Sequence, residues 1–419
     1  MRIGHLPSLF LPQIGGAQIA THNIAEKQKQ LGHDVHLISR NTIHWKAFKK
    51  LQKEISYPLL PIIPRILRLI KRGEKYNVNL SALLGWQMQY YQRKYKFDVW
   101  HFNLISPFII SALPYLRKLG VPLIGTCRGI DIQIYPEAGY GLRLTDHNWE
   151  KQLVKALAQL DIVTAISNSV REEYLALGVP EEKIRMVSNG VNYDYINDYK
   201  IDRTAIRNAV GWPLDKNIII TVGRNHPKKG YKYIPEIIKM LLSVREDFLW
   251  VIVGKNAEPI KAMADKLGVG SHLKIMAQIG LKKRKDEQKY HFPSGDLVAL
   301  YKAADIFAFP TLIETFGNVN IEAMAAGLPV IVTDAPGCRD IVSPNVTGLV
   351  SKVGDVGDMA RNILKVMDNE QLKQKLIDAG LRYAESISWP KIAQQYVDCY
   401  HEAIEQKKGR ILLPTTIPI

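Results

Sequence analysis

Cysteine is scarce in this 419-residue chain, which contains only Cys127, Cys338 and Cys399. Their number is odd, their spacing is wide, and none of them forms a Cys-x-x-Cys pair. This pattern argues against a disulfide framework and against a zinc site, and it favours a reducing compartment. We therefore expect a cytoplasmic protein.

Long apolar runs are absent as well. No uninterrupted apolar stretch of the sequence reaches the ~18–20 residues that a helix needs to cross a bilayer. Residues 1–6 are typical of a first β-strand rather than of a signal peptide. The apolar content of 47% is ordinary for a soluble globular protein, and 419 residues are enough for two large domains.

Acidic residues are outnumbered, because 40 Asp or Glu stand against 56 Lys or Arg and leave a net charge of +16. Such a charge favours an acidic partner, which is nucleic acid, anionic lipid or a phosphorylated substrate. The excess is uneven: residues 41–97 contain twelve Lys or Arg and only two Glu. The basic character is therefore concentrated in one segment of the N-terminal half.

Short β-branched runs alternate with helical patterns along the chain, which predicts parallel α/β sheets. Two sets of six strands indicate two doubly wound domains joined near residues 191–202, followed by a last helix over about 389–407. The predicted strands are 2–6, 34–39, 98–103, 122–126, 161–166 and 184–187 in the first half, and 217–222, 249–253, 273–276, 305–309, 329–333 and 348–350 in the second.

Residues 310–330 carry the strongest motif, a strand, a glycine loop and a helix with Glu314 and Glu322 on either side of the helix start. A helix N-terminus near Gly317 binds anions such as phosphate, since its backbone N–H groups are unpaired. Carboxylates beside it suit the hydroxyls of a sugar or ribose, so the motif predicts a nucleotide-sugar enzyme. The alternative is that both glutamates are ordinary helix residues, with one complementing the helix dipole.

A second motif, residues 223–230, directly follows a predicted strand. Cations at the carboxyl end of a parallel strand lie where open α/β sheets bind ligands. Arg224 suits a diphosphate through paired hydrogen bonds, and Lys229 adds a point charge. A solvated basic turn is the alternative for this segment.

The stretch around Glu314 and Glu322 resembles the Glu-x7-Glu signature of the retaining glycosyltransferases of family 4, which have the GT-B fold. The resemblance implies two Rossmann-like doubly wound domains facing across a cleft, with a C-terminal helix crossing back to the N-terminal domain. It implies acceptor binding by residues 1–195, nucleotide-sugar binding by residues 196–388, and a crossover helix and tail in residues 389–419.

The resemblance also implies roles for single residues. Glu314 would lie near the donor sugar, Glu322 would accept hydrogen bonds from the ribose, and Arg224 with Lys229 would hold the leaving diphosphate. The Gly-Gly loop of residues 12–18 resembles a family loop that faces the diphosphate, although an ordinary turn explains it equally. The implied catalytic set is Glu314, Arg224 and Lys229, and the donor-binding set is Gly15, Gly16, Gly223, Phe316, Gly317, Asn318, Val319 and Glu322.

Three residues of the N-terminal half are acceptor-side candidates: His101, Arg128 and Asp131. Many relatives have His-Gly-x-Asp where this chain has Arg128, Gly129, Ile130 and Asp131. An arginine stays protonated and cannot act as a general base, but it could stabilise phosphate or bind an acidic acceptor. For His101, a satisfied core histidine is an equal alternative.

The basic segment contains an amphipathic pattern, with Ile63, Ile66, Leu67 and Ile70 at helical spacing on one face. Such a pattern is typical of a helix on an anionic membrane surface, while a core-facing helix with a solvated basic side is the alternative. Aliphatic residues outnumber stacking aromatics in the pattern and no nucleic-acid motif occurs, so nucleic acid is not expected as a partner. The predicted membrane contacts are Arg65, Arg68, Lys71 and Arg72.

Together these features predict a retaining glycosyltransferase that moves a sugar from a nucleotide-diphospho-sugar, expected to be UDP-linked, to a hydroxyl of a glycan or lipid-linked acceptor. The pathway would be cell-surface polysaccharide or glycolipid biosynthesis at the inner face of the membrane. No Asp-x-Asp motif occurs beside the site, so neither a metal nor any cofactor besides the donor substrate is expected. The alternatives are an inactive, membrane-associated partner subunit and a nucleotide-sugar epimerase.

Overall fold

The computed structural model describes residues 1–39, 45–63, 81–277 and 290–412. The chain divides into two compact units. The N-terminal unit comprises Met1–Asn189 and Trp389–Ile419, and the C-terminal unit is Gly190–Ser388. The assignment of acceptor and donor binding to these units stays a prediction.

Seven parallel strands form the sheet of the N-terminal unit: β1 Arg2–Pro7, β2 Asp34–Ser39, β3 Leu59–Pro61, β4 Val99–Asn103, β5 Leu123–Thr126, β6 Ile162–Ala165 and β7 Ile184–Met186. Their order is β3-β2-β1-β4-β5-β6-β7, so the winding direction reverses between β1 and β4. The helices are Gly16–Gln30, Trp45–Glu54, Ser81–Tyr95, Pro107–Arg117, Leu142–Thr145, Trp149–Gln159, Asn168–Ala176 and Trp389–Leu412.

Six parallel strands form the sheet of the C-terminal unit: β8 Asn217–Val222, β9 Phe248–Val253, β10 Leu273–Met276, β11 Ile306–Phe309, β12 Val330–Thr333 and β13 Leu349–Ser351. Their order is β10-β9-β8-β11-β12-β13, with the reversal between β8 and β11. The helices are Tyr193–Asn197, Arg203–Val210, Ile234–Leu242, Glu258–Lys266, Gly295–Ala303, Asn318–Ala325, Val356–Met367 and Glu370–Ser386.

All twelve predicted strands are confirmed, and their ends differ from the prediction by no more than one residue. Strand β3, at the edge of the N-terminal sheet, was not predicted. It is only three residues long and lies among Pro58 and Pro61. Because proline cannot donate to a strand ladder, its presence argued against a strand, but an edge position tolerates it.

The C-terminal helix Trp389–Leu412 packs on the helix Gly16–Gln30 and belongs to the N-terminal unit, as the resemblance implied. Tyr400 of this helix is fully buried. Its hydroxyl accepts a hydrogen bond from Gln28 Nε2 at 3.1 Å and lies 2.7 Å from His101 Nδ1. The helix is thus fixed to the sheet by polar contacts as well as by apolar packing.

Replacing Tyr400 by Phe tests this anchoring. The change removes the hydroxyl that bonds to Gln28 Nε2 and His101 Nδ1, and both of these buried groups lose a hydrogen-bond partner. We therefore expect the unfolding free energy to fall by about 1–3 kcal/mol. Tyr90→Phe in the same unit is the control, because Tyr90 is 49% exposed and its substitution should change stability by less than about 0.5 kcal/mol. Equal unfolding midpoints for the two variants in urea would contradict the proposed anchoring.

Candidate functional site

The loops that follow β8 and β11 are tied together in the C-terminal unit. The two strands are parallel neighbours, with Ile306 beside Ile219, so their carboxyl ends lie side by side. The backbone N–H of Leu312 donates to the carbonyl of Lys228 at 2.8 Å. A Cβ at position 230 would lie 1.9 Å from the Pro310 carbonyl oxygen, so only glycine fits there. This close approach fixes one loop against the other.

The two loops bring Lys229 and Glu314 into direct contact. Lys229 Nζ bonds to Glu314 Oε1, and Lys228 Nζ lies 4.0 Å from the other carboxylate oxygen. Thr311 Oγ1 donates to Glu314 Oε1 at 3.4 Å. Burial by itself would raise the pKa of Glu314, but the two ammonium groups outweigh it and hold that pKa below its usual value. The carboxylate is therefore ionised at neutral pH.

Arg224 adds a third positive charge to this loop. It is exposed and has no hydrogen-bond or ion-pair partner within the described part of the chain. The pKa of the neighbouring His226 is lowered by partial burial and by the charges of Lys228, Arg224 and Lys229. The loop therefore carries a positive potential that one carboxylate, Glu314, only partly offsets, and it can attract an anion.

The helix Asn318–Ala325 begins beside this cluster. Its N-cap is Gly317, whose φ of 86° lies in the left-handed region that glycine adopts without strain. Glycine has no side chain, so the N-cap residue itself does not cap this helix. The helix start therefore presents a partial positive charge to the loop, as the sequence motif predicted. Phe316 is buried, while Asn318 and Val319 are half-buried.

Glu322 lies further along the same helix and is half-buried. Its Oε2 accepts a hydrogen bond from the Tyr301 hydroxyl at 3.2 Å. Burial raises the pKa of Glu322 to about 7, although the Tyr301 hydrogen bond acts in the opposite direction. Among the described residues the carboxylate thus has one hydrogen-bond partner, and accepting capacity remains for a ligand hydroxyl.

Two participants in this site were not predicted from the sequence. Tyr301 was missed because it lies 21 residues before Glu322 and belongs to no recognisable motif. Asn320 was missed because helical position alone does not show that its Oδ1 is buried without a hydrogen-bond partner among the described residues. Only three-dimensional packing identifies either residue.

The glycine pair of the N-terminal unit starts the helix Gly16–Gln30 after β1. Gly15 has a φ of −169°, which is extended backbone that any residue adopts. A Cβ at position 15 would lie 2.7 Å from Gln18 Oε1, so the side chain of Gln18 rather than the backbone angle restricts this position. The proposed donor contact of the pair stays a prediction.

His101 occupies the core of the N-terminal unit and is fully buried. Its Nδ1 lies 2.7 Å from the Tyr400 hydroxyl, and its Nε2 lies 2.7 Å from Thr126 Oγ1. Burial, followed by the nearby His5 and Arg128, lowers the pKa of His101 well below the usual range. Of the two alternatives for this residue, the satisfied core histidine describes its environment in this structure, and the acceptor contact stays a prediction.

Asp131 is likewise a structural residue in this conformation. Its fully buried carboxylate accepts hydrogen bonds from the backbone N–H groups of Arg128, Gly129 and Ile105, the closest at 2.8 Å. These contacts join the loops that follow β4 and β5. The carboxylate is occupied by backbone donors in this structure, and its acceptor contact stays a prediction.

Arg128 differs from these two residues because its guanidinium is not matched by a carboxylate. It is 7% exposed and donates to the side chains of Asn103, Asn189 and Tyr396. The four predicted membrane contacts, Arg65, Arg68, Lys71 and Arg72, lie outside the described residues. In the part of the chain that is described, no helix combines the length and apolar character needed to cross a membrane.

Two family models match the sequence. Residues 14–195 match the model described as Glycosyltransferase Family 4, and residues 202–382 match the model described as Glycosyl transferases group 1. The chain belongs to glycosyltransferase family 4. Its two parallel-sheet, Rossmann-like domains of seven and six strands are those of the GT-B fold, which confirms the predicted fold class.

Three comparisons illustrate how this glycosyltransferase relates to known proteins. An uncharacterised glycosyltransferase of Methanocaldococcus jannaschii is 26% identical over 97% of this chain and 99% of its own length. The N-acetyl-alpha-D-glucosaminyl L-malate synthase of Bacillus anthracis is 22% identical over 96% and 97% of the two chains. Anabaena HepE, crystallised in complex with UDP, has the same fold with a TM-score of 0.72 at 19% identity, covering 96% of this chain and all of HepE.

The raised pKa of Glu322 predicts a pH-dependent stability difference for Glu322→Gln. The wild-type folded state loses stability as pH rises from 4.5, the usual value, to about 7, because the buried carboxyl holds its proton while the unfolded one ionises. Glutamine has no such penalty. A pKa change from 4.5 to about 7 corresponds to about 3 kcal/mol for a fully buried group, and solvent screens part of it because Glu322 is half-buried. We therefore expect the variant to be more stable by about 1–2 kcal/mol at pH 8 and equal to the wild type near pH 4.

The measurement is urea unfolding across this pH range. Glu236→Gln is the control, because Glu236 is exposed in the same unit. A stability difference for Glu322→Gln that does not change with pH would contradict the assigned environment.

Proposed function

We propose that this family 4 glycosyltransferase transfers a sugar, with retention of configuration, from a UDP-linked donor to a hydroxyl of a glycan or lipid-linked acceptor. The observation that carries the proposal is the meeting of Lys229, Glu314 and the helix start at Gly317. The group combines cations for a diphosphate with a carboxylate for sugar hydroxyls. The UDP complex of HepE, a protein of the same fold, supports the choice of nucleotide.

The reaction begins with departure of the diphosphate from the anomeric carbon. Negative charge then develops on the leaving oxygen, where Arg224, Lys229 and the N–H groups at the start of the helix stabilise it. These positive groups take the part that a divalent cation would otherwise play. The acceptor hydroxyl attacks the oxocarbenium-like sugar on the face that the diphosphate has left, and its proton passes to the departing diphosphate oxygen, so that the configuration is retained.

Glu314 serves the donor in two ways in this proposal. In the present structure its carboxylate holds Lys229 in place, so the ammonium group is positioned before any diphosphate arrives. When the donor binds, the phosphate oxygens compete for Lys229 and the carboxylate accepts hydrogen bonds from the sugar hydroxyls. The accepting capacity of Glu322 beside Tyr301 suits the ribose hydroxyls.

A panel of nucleotide sugars tests the reaction. We expect one UDP-sugar to be hydrolysed slowly without acceptor and transferred in its presence, with the anomeric configuration retained in the product. Lys229→Ala should lower this turnover by about 10²–10³-fold, because one group that stabilises the leaving charge is lost. Glu314→Gln should also lower the turnover. A neutral amide binds Lys229 less strongly than a carboxylate does, and it accepts fewer hydrogen bonds from the sugar hydroxyls.

Lys239→Ala is the matched control, because Lys239 is an exposed lysine of the same unit. Its turnover should equal that of the wild type. An inverted product would overturn the retaining mechanism. Binding without turnover would favour the inactive partner subunit, and release of an altered sugar without acceptor would favour the epimerase.

We further propose that the N-terminal unit receives the acceptor at an anionic membrane surface. The basic excess of residues 41–97 supports this location. Within the same stretch Trp45 is 46% exposed, and Lys49 Nζ lies 5.6 Å from the centroid of its ring. Exposed tryptophan beside lysine is typical of a membrane–water interface.

Reversing the charge of Arg65, Arg68 and Arg72 by substitution with Glu tests this location. We expect sedimentation with vesicles of phosphatidylglycerol and phosphatidylcholine to be lost, because each basic residue contributes about 1 kcal/mol near an anionic surface. A control with the same charge change replaces the exposed Lys239, Lys266 and Lys375 by Glu and should still sediment. Equal sedimentation of both triple variants would contradict the proposed membrane surface.

A further inference from the structure

Arg128 is a nearly buried cation of the N-terminal unit whose hydrogen-bond partners are all neutral. Its Nε and Nη2 donate to Asn103 Oδ1 at 3.1 and 2.8 Å, and its Nη1 donates to Asn189 Oδ1 at 2.7 Å. Nη2 also donates to the Tyr396 hydroxyl at 3.3 Å. Among the described residues, no carboxylate lies within ion-pair distance of this guanidinium.

The acidic residue nearest in sequence does not neutralise this charge. The carboxylate of Asp131 is occupied by backbone N–H groups, including that of Arg128 itself. The neighbouring His5 and His101 supply no negative charge either. Burial, together with the charge of Arg128, lowers the pKa of His5 to about 4, although its hydrogen bond with Gln28 acts in the opposite direction. Removing a cation from water without a counter-ion is costly, so the structure is incomplete without an anion at this position.

The location is one where a ligand is expected. Asn103 is the last residue of β4, which borders the reversal of the sheet, and Arg128 follows the neighbouring strand β5, so both lie at the carboxyl ends of their strands. Open α/β sheets bind their ligands at this edge. The guanidinium is also held rigidly, because residues of β4, of the segment before the unit boundary and of the C-terminal helix all fix it.

We propose that Arg128 binds a carboxylate or phosphate group of the acceptor, so that the enzyme selects anionic acceptors. This inference rests on the proposed transferase function and names the class of acceptor. Asn103, Asn189 and Tyr396 are positioning residues that orient the guanidinium. Because arginine keeps its proton at all physiological pH values, it binds the anion without exchanging a proton with it.

The substitution Asn103→Asp tests this assignment most sharply. It is nearly isosteric and places a carboxylate where the amide oxygen now accepts two hydrogen bonds from Arg128. The missing counter-charge is then supplied from within the protein. We expect the variant to fold with an unfolding midpoint equal to or above that of the wild type, yet to lose its affinity for external anions by at least tenfold. Asn168→Asp, at an exposed position of the same unit, makes the same charge change and should keep the affinity.

The probes are inorganic phosphate and malonate, with glycerol as the neutral control, and the readout is the thermal midpoint of the full chain saturated with UDP. Wild-type protein and Asn168→Asp should be stabilised by both anions and not by glycerol. Asn103→Asp and Arg128→Gln should lose this response, while Arg128→Lys, which keeps the charge, should retain part of it. An unchanged anion response in Asn103→Asp and Arg128→Gln, or none in the wild type, would overturn the proposal.

The dissociation constant of UDP separates the two sources of phosphate. It should be the same in the wild type, Asn103→Asp and Arg128→Gln if Arg128 serves the acceptor. A tenfold weakening in both variants would assign Arg128 to the donor diphosphate instead and would overturn the acceptor assignment. If UDP binds to none of the proteins, the transferase function fails, whereas the anion response without UDP still decides whether Arg128 is an anion site.

Discussion

The contact between Lys229 and Glu314 is the interaction on which the proposed donor site depends. Each residue lies on a loop after a different strand, and the contact holds only because Gly230 lets its loop approach Pro310. The pair keeps a carboxylate ionised in a buried position, because two ammonium groups outweigh the cost of burial. An ionised Glu314 in turn holds Lys229 in the position where we propose that it meets a diphosphate.

The positive charges of Lys228 and Lys229 explain why the two glutamates of the motif, Glu314 and Glu322, have different pKa values. Glu314 has cations beside it and a lowered pKa, whereas the hydrogen-bond partner of Glu322 in the described part of the chain is the Tyr301 hydroxyl, and its pKa is raised to about 7. The two carboxylates therefore differ in the charge that surrounds them. This difference supports the proposed division between the diphosphate and sugar end of a donor and its ribose end.

The sequence was informative where structure is local. Short β-branched runs located twelve strands, and the resemblance to the family implied that Arg224, Lys229 and Glu314 share a site. Contacts between residues far apart in the sequence could not be predicted from local patterns. Glu322 is bonded to Tyr301 of another helix. His101 is bonded to Tyr400 of the C-terminal helix, 299 residues away. Strand β3 was not predicted because a strand that contains proline is tolerated only at the edge of a sheet. The order of the strands decides which strand lies at the edge, and the local sequence does not show that order.

The affinity of UDP relative to that of UMP, in the wild type and in Lys229→Ala, tests the central claim most directly. Isothermal titration should show that the wild type binds UDP more tightly than UMP, because the second phosphate meets Lys229. The substitution should weaken UDP binding by about 10–100-fold, as expected for a charge-assisted contact of about 1.5–3 kcal/mol, and should leave UMP binding nearly unchanged. An equal loss for both nucleotides, or no loss for either, would contradict a diphosphate site at Lys229.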